Sequence, residues 1–300
     1  MTVTVLTPTY NRADKLKALY DSLMKQTSKD FKWLVIDDGS EDNTSDVVCE
    51  FIENADFEIE YIKKENGGKH TALNVGIAKI TTDLTFIVDS DDYLTDDAIF
   101  EICKEHERFK DNDRICGYSF LRQYPNGKIN GSFDKKNEII GNFIVQRINK
   151  NDANSDKAEV WKTTCLKEFP FPEFEGEKFL GEDTVWIQMA LKYEVLFLNK
   201  PIYISEYLPD GLTDNRRKHN IKSPQGCRHR AYVTLLANEQ ISLSKRYYFK
   251  VILQYHVYGF FAKIPPKKQF EDNPNKLMHI LTLPLGYIIY LKWKNDKNYK

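Results

Sequence analysis

Short apolar runs alternate with stretches of helical spacing through the first third of the chain. Residues 3–9 read as a strand, with Pro8 at its end where a ladder hydrogen bond can be spared. Leu16, Leu19, Tyr20 and Leu23 then recur at helical spacing over 13–26, with Asn11 as a candidate cap. The cycle repeats. A strand over 31–36 precedes a helix after Thr44 with Val47, Val48, Phe51 and Ile52 inward, and a third strand covers 57–62. Asn66-Gly67-Gly68-Lys69-His70 opens a helix faced by Leu73, Ile77 and Ile80. A strand ending at Val88 and a helix over 95–109, with Ile99, Ile102 and Cys103 inward, complete the series. This alternation predicts an α/β, Rossmann-like fold: a mostly parallel sheet with flanking helices.

After about residue 112 the rhythm changes. Segments 115–124 and 128–133 flank Pro125-Asn126-Gly127, which predicts an antiparallel hairpin. A strand over 158–164, an irregular acidic stretch over 170–176 and a helix beginning at Gly181-Glu182-Asp183 follow. Two further strands are expected at 195–198 and 202–208, then a polar loop over 209–223 of a length that is usually functional or mobile. Two helices are expected over 225–263, broken near 242–245, the second of them very aromatic and ended by Pro265-Pro266.

Composition narrows the class. At 300 residues and 41% hydrophobic content the chain can bury a substantial core, and its net charge of −1 implies no global pull toward nucleic acid. The five cysteines lack CxxC spacing, which argues against a disulfide framework or a zinc site and for a reducing compartment. The first residues enter a strand pattern at once and are not expected to form a signal peptide, and no run approaches the ~20 apolar residues of a spanning helix.

The chemistry concentrates where strands end. Phe86-Ile87-Val88 runs directly into Asp89-Ser90-Asp91-Asp92, as a buried strand does when its carboxyl end opens onto a ligand crevice. Three carboxylates this close need a cation or several donors to neutralise them. They read as a divalent-metal site for a diphosphate, or as an acidic turn before the next helix. Asp37-Asp38-Gly39-Ser40 repeats the pattern one strand earlier. Glu182 and Asp183 alone read as ordinary capping at a helix N-terminus.

Leu6-Thr7-Pro8-Thr9-Tyr10-Asn11-Arg12, Val35-Ile36-Asp37-Asp38-Gly39-Ser40 and Val88-Asp89-Ser90-Asp91-Asp92, in that order, closely resemble the nucleotide-sugar-binding half of inverting family 2 glycosyltransferases with the GT-A fold, the type that builds bacterial cell-surface polysaccharide. The match covers roughly residues 2–110, and Gly181-Glu182-Asp183 resembles the family's acidic pair on the acceptor side. The resemblance implies that Pro8 and Tyr10 line the uracil and ribose side and that Asp37 or Asp38 accepts from the uracil ring nitrogen. It implies Lys69 near the base or diphosphate, Asp89 at the ribose or the metal's water shell with Ser90 in the same donor-binding set, and Asp91 on Mn2+ or Mg2+. Asp92 and Glu182 would be supporting residues, and Asp183 the base that deprotonates the acceptor hydroxyl. Direct displacement needs only that one base, unlike glycoside hydrolysis with its matched carboxyl pair.

The implied reaction moves a hexose or N-acetylhexosamine from a UDP-sugar to a glycan or lipid-linked acceptor in capsule, teichoic acid or exopolysaccharide synthesis. Two other readings compete: a nucleotidyltransferase, for which Thr7 to Arg12 lacks the Gly-rich basic loop, and a non-catalytic sugar-nucleotide or glycan-binding module of the same fold. The expected organisation is a catalytic domain over 1–210, with a donor half to 110 and an acceptor half beyond it, followed by a helical extension over 211–300. In the tail, Leu281, Leu283, Leu285, Ile288, Ile289, Tyr290 and Trp293 lie among lysines, which suits either peripheral contact with the inner face of a membrane or docking on the protein body. His70, His219 and His229 are minor candidates for phosphate or metal contact, set against ordinary packing roles.

Overall fold

The computed structural model describes residues 1–133, 136–150, 156–205 and 216–296. By contacts the chain divides into two units, Met1–Pro170 with Lys192–Glu206, and Phe171–Leu191 with Tyr207–Lys300. The segment Phe171–Leu191, expected in the acceptor half of a catalytic domain, thus groups with the C-terminal helices.

The first unit is built on one sheet. Strands β1 (Val3–Thr9), β2 (Phe31–Asp37), β3 (Ile59–Lys63) and β4 (Leu84–Ile87) run parallel in the order β3-β2-β1-β4. Helices α1 (Ala13–Met24), α2 (Thr44–Asn54) and α3 (Lys69–Lys79) connect them. Apolar runs are buried on both faces here, so β1, β2 and β4 carry almost no exposed residue. Two details differ from expectation in this half. Ile52 points to solvent, and Asn11 does not cap α1: the Ala13 amide is taken instead by Asp42, 3.2 Å away across the β2–α2 loop.

The sheet continues through β9 (Lys157–Lys162), β6 (Ile115–Gln123), β10 (Glu194–Ile204) and β5 (Tyr93–Leu94). β9 is antiparallel to both β4 and β6, which reverses the sheet where the βα rhythm was expected to end. The predicted hairpin forms, but its second arm, β7, is only Ile129–Asn130. The strands expected at 195–198 and 202–208 are one strand, β10, with register shifts on either side of Pro201, and residues 206–215 of the expected strand and loop lie outside the described residues. The pair Tyr93–Leu94, the strand β8 (Glu138–Gly141) and a π-helical turn at Ile144–Asn149 carry no pattern long enough to read from sequence. Pairing of Tyr93 and Leu94 with β10 delays α4 to Ala98–Phe109. The carbonyls at the end of α4 are closed by the Lys162 ammonium, which donates to Phe109, Lys110 and Asn112 at 2.9–3.1 Å.

The second unit is helical. It holds α6 (Asp183–Met189), α7 (Arg216–Lys222), α8 (Pro224–Ala237), α9 (Lys245–Phe261), α10 (Pro266–Asp272) and α11 (Lys276–Asn295), while the short α5 (Thr163–Lys167) belongs to the first unit. The buried Glu177 carboxylate accepts from the Gln225 and Gly226 amides, both at 2.8 Å, and so closes the N-terminus of α8. Helices α9 and α11 meet at a buried histidine pair, His256 and His279, with ring centroids 4.6 Å apart. Gly286 of α11 lies against His256 so closely that an added Cβ would sit 2.5 Å from the histidine Cβ. Only glycine permits this approach.

Burial, and then His279, push the His256 imidazole down to about 3, so it is neutral in the folded protein. Burial lowers His279 as well. A base whose folded pKa lies below its unfolded value of about 6.5 contributes stability above that pH and loses it as pH falls toward the folded value. Thermal or denaturant melts are expected to show stability declining below pH ~6.5, by up to about 1.4 kcal/mol per pH unit from His256 alone. His256→Leu is expected to flatten that slope, and an unchanged slope would remove His256 as its source.

Candidate active site

The carboxyl ends of β1, β2 and β4 open on the same side of the parallel sheet, and the loops leaving them are tied together by side chains. Asn11, in a left-handed conformation at φ 49°, donates its amide to Ser40 Oγ at 2.8 Å and accepts the Glu41 amide on Oδ1 at 2.8 Å. Asp37 is fully buried and accepts from the Ser40 amide at 2.7 Å and the Tyr61 hydroxyl at 2.5 Å. Asp38 is also buried and accepts from Lys64 Nζ at 2.7 Å and from the Gly67 and Gly68 amides at 3.0 and 2.7 Å. Gly39 makes the tight turn between these loops with φ +84°, where a side chain would also press on the backbone of Lys64 and Asn66. The structure therefore gives Asp37 and Asp38 a loop-organising role. Pro8 is buried just past Leu6, the last β1 residue paired with β4, and Tyr10 is exposed at the rim.

Beyond β4 the acidic turn is met by cations. Asp89 pairs with Lys69 Nζ, and the exposed Asp91 carboxylate lies 3.3 Å from Arg12. Asp92 is buried, 3.3 Å from Arg122 and 2.8 Å from the Tyr203 hydroxyl, which in turn accepts the Asp89 amide at 3.0 Å. The Arg122 guanidinium stacks 4.0 Å over the Tyr203 ring and donates Nε to the Lys157 carbonyl at 2.8 Å. Burial pushes the Asp89 carboxyl up, but Lys69, Arg122 and Arg12 outweigh it and hold Asp89 below the ordinary range. Asp92 is pushed up to about 7 by burial and then by Asp89, against the pull of Arg122. The two neighbours are thus shifted in opposite directions by their surroundings.

Arg12, Arg122 and Tyr203 escaped the sequence reading. Arg12 lies within a motif whose other members claimed notice, while Arg122 and Tyr203 come from β6 and β10, far along the chain and free of any local signal. Ser90 is buried inside the turn. His70 is buried in α3, and His219 and His229 lie beside Phe179 and Phe174, so all three have packing surroundings. Among the described residues no group of three or more His, Cys, Asp or Glu gathers as a metal cluster.

In the second unit, Asp183 receives a two-pronged ion pair from Arg230: Nε to Oδ1 at 2.7 Å, and NH2 to Oδ2. The acidic pair stands at the start of α6, where the helix dipole favours carboxylates, as the capping account expects. Glu182 occupies the N-cap of α6 without a side-chain capping bond, and Asp183 turns to Arg230.

A central strand ending in carboxylates, beside loops clipped by further carboxylates, on a sheet that turns antiparallel past that strand, has the architecture of the GT-A fold. The model of the family described as Glycosyl transferase family 2 matches residues 4–153, half of the chain, and the chain belongs to that family. Glycosyltransferase GlyA of Streptococcus pneumoniae is 28% identical over 217 residues, 67% of this chain and 30% of the relative, so the match spans under a third of that relative's length. The S. aureus TarS 1-349 structure with UDP-GlcNAc aligns with a TM-score of 0.64 at 17% identity, over 97% of this chain and 81% of that one. The Pyrobaculum calidifontis mannosyltransferase PcManGT, with GDP-Man and Mn2+, aligns with a TM-score of 0.58 at 18% identity, over 99% and 81%. At these identities the structural likeness is one of fold.

Tyr203→Phe removes the acceptor of the Asp89 amide and one of the two donors to Asp92. Denaturant unfolding is expected to show a loss of about 1–3 kcal/mol, the cost of buried polar groups left unpaired. Tyr10→Phe, at an exposed position, should leave stability unchanged.

Proposed function

We propose that this glycosyltransferase is metal-dependent and inverting, and that it moves a hexose or N-acetylhexosamine from a UDP-sugar to a glycan or lipid-linked oligosaccharide. The pathway would be cell-surface polysaccharide synthesis, on the cytoplasmic side of the membrane. The observation that carries the donor half is the position of Asp91: an exposed carboxylate at the end of β4, flanked by neutralised Asp89 and buried Asp92. A divalent ion that binds through one or two carboxylates and takes its remaining ligands from substrate phosphates fits such a turn without a preformed cluster. Asp91 would hold the Mn2+ or Mg2+, which when bound neutralises charge on the departing diphosphate. The TarS complex with UDP-GlcNAc and the PcManGT complex with Mn2+ support this choice of donor and ion.

Lys69 and Arg12 stand ready to meet phosphate oxygens, since each is paired with a carboxylate that a bound ion could engage in its place. Asp183 would serve as base. Arg230 fixes the plane of its carboxylate, so that the base is held in one orientation toward the acceptor hydroxyl. The uracil contact would fall to Asp38 through its remaining acceptor capacity, with Tyr10 at the rim.

A thermal-shift panel of UDP, GDP and CMP, each with Mn2+ or EDTA, tests the donor half. UDP with Mn2+ is expected to stabilise the protein by about 2.7 kcal/mol at a hundredfold excess over its dissociation constant. Asp91→Asn should abolish that response, and stabilisation by GDP alone would overturn the choice of nucleotide. Asp183→Asn is expected to keep UDP–Mn2+ binding while lowering transfer to acceptor by at least about a hundredfold. Undiminished transfer would remove Asp183 as the base.

A further inference from the structure

Helix α11 is built inside out. Its inward face, packed on α9, carries His279, Thr282 and Gly286, with Thr282 Oγ1 2.9 Å from His256 Nε2. Its outward face carries Leu277, Ile280, Leu281, Leu285, Ile288 and Leu291, all between 38% and 68% exposed. These positions recur at helical spacing and form one apolar stripe about 21 Å long. A helix that stood in water would place its apolar side on the protein and its polar side outward. Here His279, Thr282 and Gly286 make the fully buried contact, joined by Tyr290 and Trp293 against Phe260, Phe261 and Tyr258 of α9, while the leucines and isoleucines of the stripe face out. A continuous stripe of this kind marks an interaction surface.

Charge decides what covers it. Lys276–Asn295 contains no acidic residue, and residues 216–300 hold 17 lysines and arginines against four aspartates and glutamates. Lys292 and Lys294 are exposed at the end of the stripe, with the exposed Tyr287 and the half-buried Tyr290 and Trp293 beside it. A second copy of the chain would set like charges together: antiparallel docking brings Lys276 against Lys292, and parallel docking brings each lysine against itself. An anionic lipid surface accepts the same groups without that repulsion, taking up the leucines below the headgroups while lysines meet phosphates. No helix among the described residues is long and apolar enough to cross a membrane.

We propose that α11 lies flat on an anionic bilayer with this stripe immersed at the headgroup boundary. The inference is independent of the donor chemistry, so its failure would leave the proposed reaction standing. Flotation of the full chain with phosphatidylcholine vesicles, with and without phosphatidylglycerol, tests it. The wild type is expected to float with the anionic vesicles and to be released by high salt. Leu281→Glu combined with Ile288→Glu, both at exposed positions, should cut partition at least about tenfold with an unchanged melting temperature. Lys292→Gln with Lys294→Gln is expected to reduce binding to anionic vesicles alone, and it covers the case in which the first variant fails to fold. A wild type that stays in the aqueous fraction with both vesicles overturns the proposal. Equal binding to neutral and anionic vesicles overturns the role of charge. Dimers in sedimentation velocity that the double glutamate variant dissociates, with no vesicle binding, would identify the stripe as a self-association face.

Discussion

The carboxyl end of β4 is organised by the repulsion among Asp89, Asp91 and Asp92. A single short turn holds three carboxylates at the end of a buried strand, a place where unpaired charge is costly. The fold resolves this by drawing a cation to each from a different element: Lys69 from the start of α3, Arg12 from the N-cap of α1, Arg122 from β6. Tyr203 completes the arrangement by bonding both Asp89 and Asp92. The order of the sheet makes these contacts possible. β6 and β10 must lie beyond β4 for Arg122 and Tyr203 to reach the turn, and the antiparallel β9 between β4 and β6 sets their distance.

Around this centre most acidic residues serve the scaffold. Asp37, Asp38 and Asp42 accept backbone or side-chain donors from neighbouring loops, and Glu177 performs the same service at the start of α8. A carboxylate that accepts several such bonds fixes a loop without depending on its own sequence neighbours. That leaves Asp91 exposed on a frame that those bonds hold in place. In the second unit the Asp183–Arg230 pair repeats the principle, with a fixed carboxylate whose orientation is set from a separate helix.

The first 110 residues were legible because their signals are local. Buried parallel strands are continuous apolar runs, the helices between them show their spacing, and the acidic motifs stand at strand ends, so β1 through α4 lie close to where the pattern put them. Where an element is short or its partner distant, local signals fail. Tyr93–Leu94 is too short to show a period, Pro201 made one strand look like two, and the partners of Asn11 and Asp183 come from other parts of the chain.

The sequence by itself determined the α/β class, the family and the acidic turn, because each is written in residues within a few positions of one another. Only the tertiary structure decided which carboxylates are neutralised, which remain exposed and which face of α11 is turned outward. Those outcomes depend on contacts between residues from 20 positions apart, as Lys69 with Asp89, to 114, as Asp89 with Tyr203, and on which side of a helix another helix packs, neither of which a linear pattern encodes.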